Sequence, residues 1–493
     1  MSTTHPTPRS GFLAGGIAML GSLAVLRALN VLTGSRPLAE SLSDGILLLL
    51  PVDAFSWLKE NLGDQAKTWL LIGILLGFLA IGALLGGFIS AAEDEWKARV
   101  WSASALLFAV AAGLIFFIDR RQFEQQFIAT TLSLAIAALV YGAIARAILQ
   151  LPTSNETFSE SRRYAVASIA ALAGVLILGR DIRKVWQHQS ASTNEQADSE
   201  FTEAITSNDQ FYRVSKNFVD PSNERGSNWS IEIAGNVDEP GNWNYEQLQE
   251  LGTEPMVSTM LCISNTVGGD LIGTAEWTGL PMATFLDKIG ATGEYVYFYG
   301  DDGYMTSVPM ERCRAEFSWL VWGMNGEPLP TDHGAPVRAI IPGLYGMKSV
   351  KWLTKMEVAD EDTLGYWEQR SWTNTAVVKP MSRIDFPKRS SNLDEVTVPV
   401  RGIAFGGDLG IEAVEVSTDD GETWNEARIT EQPNPEGIAW SLWQYDWDAE
   451  SGQHTLVVRM ITADGEVQTS DEASPLPDGS SGWHSVPVVV NRA

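Results

Sequence analysis

Cysteine is scarce in this chain: Cys262 and Cys313 are the only two among 493 residues. Two thiols cannot build a disulfide framework or a four-thiolate metal site, so any cysteine chemistry is solitary. Histidine is nearly as rare, at His5, His188, His333, His454 and His484, and none lies inside an apolar run. Basic residues are outnumbered, 34 Lys+Arg against 61 Asp+Glu, for a net charge of −27. The deficit is local: the first 184 residues carry 15 Lys+Arg and 13 Asp+Glu, the remaining 309 carry 19 and 48. So acidic a surface repels phosphate backbones and excludes nucleic acid as a partner. At 45% hydrophobic residues, and with Trp, Tyr and β-branched residues throughout its acidic part, the chain is not a disordered acidic tail. Surplus carboxylate on a folded surface suits high salt, where screening removes the self-repulsion, so a halophilic protein is expected; the alternative is an ordinarily acidic exported domain.

Long apolar runs are present only before residue 184, while the length suggests about three domains. Five runs approach or exceed what a ~30 Å hydrocarbon core demands at ~1.5 Å per residue: Gly11 to Leu32, Trp69 to Ile89, Val100 to Ile118, Phe127 to Leu149 and Tyr164 to Gly179. The middle three each run about 19 residues or more without a formal charge. Arg27 interrupts the first and can snorkel to an interface, and the last is short and Ala/Gly-rich. Gly45 to Val52, broken by Pro51, fits an interfacial piece. Ser161-Arg162-Arg163-Tyr164 before the last run resembles a twin-arginine export signal, the alternative being a simple helix anchor. Cytoplasmic arginines after four spans would put everything beyond Gly179 outside the cell membrane. No span contains histidine, so none is expected to ligate haem, and a multi-pass anchor is the expectation.

Beyond a polar linker at 185–208, residues 209–390 mix short strand patterns with two helical ones, near Tyr245 to Leu251 and Met282 to Ile289, which predicts an α+β domain. From 391 to 493 alternating strands are separated by turns such as Asp419-Asp420-Gly421, which predicts an immunoglobulin-like sandwich. Cys262 lies where the apolar run Met256 to Ile263 opens into Ser264-Asn265-Thr266-Val267-Gly268-Gly269-Asp270. A cysteine so placed can present a thiolate to a ligand, or can be a small buried hydrophobe. Cys313 has no supporting motif. His333-Gly334-Ala335-Pro336-Val337-Arg338 and Gly346-Met347-Lys348-Ser349-Val350-Lys351-Trp352 gather cations and one His at Gly/Pro turns. That pattern predicts an anion pocket, or else hairpin turns with solvated Lys.

In order, Phe211-Tyr212-Arg213, Trp229 to Gly235, the Cys262 loop, Glu276 to Pro281, His333 to Arg338, Gly346 to Trp352 and Gly365-Tyr366-Trp367 resemble the sulfite oxidase family of molybdenum-cofactor enzymes. The resemblance implies a multi-domain chain: N-terminal all-α transmembrane helices, an α+β sulfite-oxidase-like molybdopterin-binding domain, then an all-β immunoglobulin-like sandwich that dimerises. Cys262 would be the thiolate ligand of molybdenum. Asn265, His333, Arg338, Lys348, Ser349 and Lys351 would hold the pterin and its phosphate. Arg213 and Tyr366 would be catalytic. The implied activity is oxygen-atom transfer on a small-molecule substrate, with no haem domain and a separate electron carrier. The family also contains a sulfoxide-reducing branch. The arginines that follow the ligand cysteine in animal and plant sulfite oxidases are absent after Cys262. Rival readings are a membrane-tethered interaction protein without metal and a cofactor-binding assembly factor without turnover.

Overall fold

Among the described residues, apolar sequence with no polar face makes four long helices at the N-terminal end: α1 (Pro8–Thr33), α2 (Ala66–Ser90), α3 (Trp96–Ile118) and α4 (Phe127–Gln150). The computed structural model describes residues 8–33, 38, 42, 66–91, 96–118, 127–150, 202–217, 220–221, 229–394, 396–434 and 438–491. They fall into two units, Met1–Ala191 with Asn217–Val219, and Ser192–Lys216 with Asp220–Ala493. Three of the helices are long and apolar enough to cross a membrane, over Gly11–Asn30, Ile72–Ser90 and Thr130–Leu149, with mean hydropathies of 1.8, 2.5 and 2.0. The apolar stretch of α3, Ala98–Gly113, is shorter. The expected fifth span, the 45–52 piece and the paired arginines lie outside the described residues.

Small residues set how closely these helices approach. A Cβ on Gly15 would lie 2.1 Å from the Gly82 carbonyl oxygen and 2.8 Å from Gly86 Cα, and one on Gly86 would lie 2.1 Å from the Gly11 carbonyl oxygen. Gly11 and Gly15 on α1 thus interlock with Gly82 and Gly86 on α2, the small-xxx-small device that lets backbones touch in an apolar solvent. Polar side chains join the other faces: Tyr141 on α4 donates to the Gly82 carbonyl at 3.0 Å, and Ser22 on α1 to Ala137 at 2.7 Å. Phe12, Leu13, Leu76, Leu84 and Leu139 point outward, exposed.

The second unit holds three sheets. The first orders its strands Gly241–Asn244, Ser230–Gly235, Leu353–Ala359, Tyr295–Gly300, Met305–Pro309, with Ser230–Gly235 parallel to Leu353–Ala359 and the other pairs antiparallel. Both expected helices form, at Tyr245–Glu250 and Met282–Lys288. Asn244 caps the former through a reciprocal pair of bonds with Gln247, so local chemistry fixes its start. Ile231, Ile233, Phe285 and Phe298 fill the core between them. Each such side chain, fully buried, contributes about 1.5–3 kcal/mol. The second sheet runs Glu254–Leu261, Ile272–Pro281, Trp319–Met324, Glu327–Pro328, with Arg338–Ile340 also paired to Trp319–Met324. Its first two strands are antiparallel, with Leu261 opposite Ile272, so residues 262–271 form the loop between them.

The third sheet is the C-terminal β-module, ordered Met381–Phe386, Thr397–Phe405, Ser441–Asp448, Asn425–Glu431, Ala413–Ser417, Gly452–Ile461, His484–Val490, Asn392–Leu393. Alternate residues such as Val398 and Val400 meet Val414, Trp443, Leu456 and Val486 in one core. Two segments near the expected boundaries have their partners across them. Met381–Phe386, ahead of residue 391, pairs with Thr397–Phe405 and so belongs to the third sheet. The expected linker to 208 is already docked from Thr202, which bonds Asp385 at 2.7 Å; Thr206 and Asn208 follow, bonded to Asn325 at 2.9 Å. A polar stretch reads as linker when its partners are distant in sequence.

Candidate functional site

Cys262 is the first residue past the buried strand Glu254–Leu261, where the ladder ends and the chain turns. Its amide donates to the Leu271 carbonyl at 2.9 Å, its carbonyl accepts from Asn265 at 3.0 Å, and Asn265 Oδ1 accepts from the Leu271 amide at 2.9 Å. The loop is therefore a closed structure, with Gly268 at φ +73 making a turn that L side chains rarely adopt. Cys262 is 8% exposed, and its Sγ lies 3.1 Å from Ser264 Oγ. With Asn265, Gly268, Tyr345, Lys379 and Ser480 it lines a cleft.

Three phenols share the electrostatic field of this thiol. Burial pushes Tyr212 well above the usual phenol range, the Cys262 charge adds to the rise, and the Arg338 cation opposes it. Burial also pushes Tyr304 well up, helped by Glu368, Asp302, Tyr366 and Cys262. Tyr345 is raised to about 12, mainly by burial. All three are therefore neutral donors at neutral pH. Tyr304 Oη donates to the Met347 carbonyl at 2.6 Å. Tyr212 Oη sits where a Cβ on Gly346 would come within 2.7 Å, so only glycine there leaves the phenol its place.

The two Gly/Pro segments form one knot. Arg338, 3% exposed, donates to the carbonyls of His333 at 2.8 Å and Ser349 at 3.1 Å and lies 5.4 Å from the Trp277 ring centroid. Burial lowers its pKa to about 10, and its Nε is buried without a partner among the described residues. Ser349 Oγ accepts from the Ile341 amide at 3.0 Å. His333 Nε2 donates to the Asn208 carbonyl at 2.7 Å, and burial holds its pKa down at about 4, with Arg338, Arg213 and Lys351 pushing the same way. The ring is thus neutral at pH 7. Arg213 pairs with Asp332 at 2.5 Å on the half-exposed rim, and Lys351 donates to the Asp332 carbonyl at 3.2 Å.

Lys348 takes no place in the cleft's open face. Its ammonium, 1% exposed, is bound by Glu368 at 2.5 Å, the Ser307 carbonyl at 2.9 Å, Thr306 Oγ1 at 3.1 Å and Asn374 Oδ1 at 3.1 Å. Tyr366 lies against Tyr304, ring centroids 5.9 Å apart, with Arg370 3.6 Å and Lys216 5.2 Å from its own centroid. Cys313 is a core residue, 0% exposed, its thiol pushed up by burial. The structure thus brings Cys262 and Asn265 together at the cleft and ties Arg338 to His333 and Ser349, with Tyr212 in the electrostatic reach of both Cys262 and Arg338. The anion pocket expected from clustered cations is internally bonded at Arg338, Lys348 and Lys351. Sequence reasoning passed over Tyr212, Tyr304, Tyr345 and Glu368. Tyr212 and Tyr345 stood inside quoted segments; Tyr304 and Glu368 carried no spacing signal.

Residues 218–367 match the family described as oxidoreductase molybdopterin binding domain, and residues 366–489 match the Mo-co oxidoreductase dimerisation domain. The mitochondrial sulfite oxidase of Homo sapiens is 31% identical over 258 residues, 45% of this chain and 47% of that protein. The sulfite oxidase of Arabidopsis thaliana is 25% identical over 330 residues, 55% of this chain and 84% of that one. The chain spans about half the length of the mitochondrial relatives it matches. The crystal structure of the sulfane dehydrogenase SoxCD from Paracoccus pantotrophus superposes with a TM-score of 0.51 at 23% identity, over 58% of this chain and 81% of that one, which is a likeness of fold. The residues present suit a sulfur-ligated metal with an anionic pterin: a thiol at a cleft, a buried guanidinium Nε without a partner, and the bare Gly346 beside Tyr212.

Proposed function

The chain belongs, through residues 218–489, to the sulfite oxidase family of molybdopterin-binding oxidoreductases, and from that membership we propose a membrane-anchored enzyme of two-electron oxygen-atom transfer. Its substrate would be a small oxyanion or a sulfoxide-type molecule. The observation that carries this reading is the placement of Cys262 at a cleft, in a closed loop, with three buried phenols inside its electrostatic reach. Membership in an enzyme family sets aside the two non-enzymatic readings.

The molybdenum cofactor supplies the redox change and the oxygen exchange. The chain's own groups do the rest. Cys262 would hold the metal through its thiolate, a soft ligand suited to a centre already bound by sulfur. Arg338 Nε would meet pterin charge, with His333, Ser349 and Lys351 setting the shape of that wall and Asn265 closing the cysteine loop. Lys348, tied to Glu368, would brace the same wall from behind. Arg213 would exchange Asp332 for a charged group on the substrate, and Tyr366, beside Tyr304, would face the reacting centre. The phenols lose no proton at pH 7, so each can orient an oxygen without adding charge.

The membrane helices would anchor the chain as a multi-pass protein with the catalytic unit on the extracytoplasmic side. The C-terminal β-module, immunoglobulin-like in this reading, would form a homodimer, and electrons would pass to a separate carrier. The absence of arginine directly after Cys262 favours a neutral sulfoxide-type substrate as the second reading. The test is molybdenum content by elemental analysis on chain made in a host that synthesises the pterin cofactor, with Cys262→Ala beside it. Near-stoichiometric metal in the wild type, and loss of the thiolate-to-metal absorption in the variant, are expected. A folded wild type without molybdenum refutes the reading.

A further inference from the structure

The loop that carries Cys262 is held from two directions, and one of them is the C-terminal β-module. Within its own sheet the loop is closed by the Leu271 and Asn265 bonds described above. From the module, Arg383 on strand Met381–Phe386 donates through a terminal guanidinium nitrogen to the Gly269 carbonyl at 2.7 Å. Arg383 is fixed in turn: its Nε meets Asp385 Oδ1 at 2.6 Å, and Asp385 Oδ2 accepts from Thr202 at 2.7 Å. Ser480 donates to the Asn265 carbonyl at 2.7 Å. The edge of the His484 ring covers Gly268 so closely that a Cβ there would lie 2.4 Å from Nε2 and 2.3 Å from Cδ2. His484 Nδ1 accepts from the Ile384 amide at 3.0 Å, which ties the ring to the strand that carries Arg383.

The strand leading into Cys262 is engaged as well. The Thr259 amide donates to the Ile438 carbonyl at 3.0 Å, Thr259 Oγ1 accepts from the Trp440 amide at 2.8 Å, and Asn434 donates to the Val257 carbonyl at 3.0 Å. Module contacts therefore bracket Cys262, at Val257 and Thr259 before it and at Asn265, Gly268 and Gly269 after it. A module that only joined two copies of the chain would have no need to grip the peptide planes on both sides of one cysteine.

We infer that the C-terminal β-module positions the Cys262 loop within its own chain, with Arg383, Ser480 and His484 as the positioning residues. The inference deepens the reading of Cys262 as a metal ligand and rests on it for its chemical meaning. Its physical content concerns the loop alone. The module's grip fixes the carbonyls of Asn265 and Gly269, and through them the direction in which the thiol faces the cleft. Subunit association and thiol geometry are then two properties of one element.

The chain's two cysteines give an assay that does not need the cofactor. Cys262 stands at the cleft and Cys313 is fully buried, so the second is an internal reference for global opening. Full-length chain in detergent, produced without cofactor, is treated with iodoacetamide, and alkylation of each cysteine is followed by peptide mass spectrometry. Losing a charged donor to a buried loop shifts local opening by roughly tenfold. Arg383→Ala is expected to speed Cys262 alkylation by about that factor while Cys313 stays unlabelled, and Arg383→Lys, which keeps a donor, to restore most of the protection. Ser480→Ala removes one neutral bond and is expected to give a smaller rise; it serves if Arg383→Ala fails to fold. In holoenzyme the same variants are expected to shift the thiolate-to-metal absorption. Cys262 rates within about twofold of wild type in both folded alanine variants overturn the inference, as does a rise matched by Cys313. A flat response in chain whose holo form carries molybdenum removes the clamp and leaves the enzyme. A raised Cys262 rate in chain that never takes up molybdenum keeps the clamp and removes the enzyme.

Discussion

Replacing Glu368 by Gln tests whether the Lys348 ammonium is a structural brace. The side chains of Lys348 and Glu368 are 1% and 0% exposed, and they meet at 2.5 Å. The substitution keeps the shape and the acceptor to Thr306, which donates to Glu368 Oε1 at 2.7 Å, but removes the charge. The ammonium would retain the Ser307 carbonyl, Thr306 and Asn374, which stabilise it through dipoles rather than a full counter-charge. Breaking one side of a buried ion pair costs about 3–5 kcal/mol. At about 2–4 °C per kcal/mol for a unit of this size, the expected fall in Tm is roughly 6–20 °C, read by near-ultraviolet circular dichroism or scanning calorimetry. The double variant Glu368→Gln with Lys348→Met removes the stranded charge and is expected to recover most of the loss, because an isosteric apolar replacement of a buried pair is often close to neutral. A single variant within about 1 kcal/mol of wild type, or a double variant as unstable as the sum of the two singles, refutes the argument. A phosphate-gripping lysine would behave differently, since its loss would cost cofactor retention and leave the fold intact.

Four other outcomes follow from the same coordinates. His333 and His484 are both held near pKa 4, mainly by burial. Because the folded values lie below the unfolded ~6.5, stability is fully present above pH 6.5 and is lost as pH falls toward 4. The urea midpoint should therefore drop across that window, and a His333→Gln variant with an unchanged slope would count against the assignment. Gly15→Val should push α1 from α2 at an overpacking cost of about 1–3 kcal/mol, read as a lower Tm in detergent; equal melting would show that the helices do not cross there. Gly346→Ala should displace the Tyr212 phenol and lower molybdenum content, and wild-type metal loading would remove Tyr212 from the proposed site. The acidic second unit should melt at a higher temperature in molar salt than in dilute buffer, and a salt-independent Tm would defeat the halophilic reading.

What could be read in advance was whatever has a local cause. The helix at Tyr245 was legible because Asn244 and Gln247 cap each other within one turn, and Cys262 because an apolar run stops where Gly and Asn begin. The order of short segments carried the family. The parts that escaped depend on meetings between distant residues. Tyr304 stands in the turn between Tyr295–Gly300 and Met305–Pro309, and Tyr295–Gly300 pairs in turn with Leu353–Ala359; neither strand announces its partner. Clustered cations around His333 promised an anion site, yet Lys348 went to Glu368 and Lys351 to Asp332. A lysine in a sequence shows a charge but not the carboxylate or carbonyl that will neutralise it. The sheet partners around 390 were hidden for a related reason. Met381–Phe386 follows its predecessors without a break in composition, and its ladder with Thr397–Phe405 shows which sheet it joins. That same strand carries Arg383 to the Gly269 carbonyl. The strand whose partners the sequence does not announce is thus one that joins the β-module to the cysteine loop.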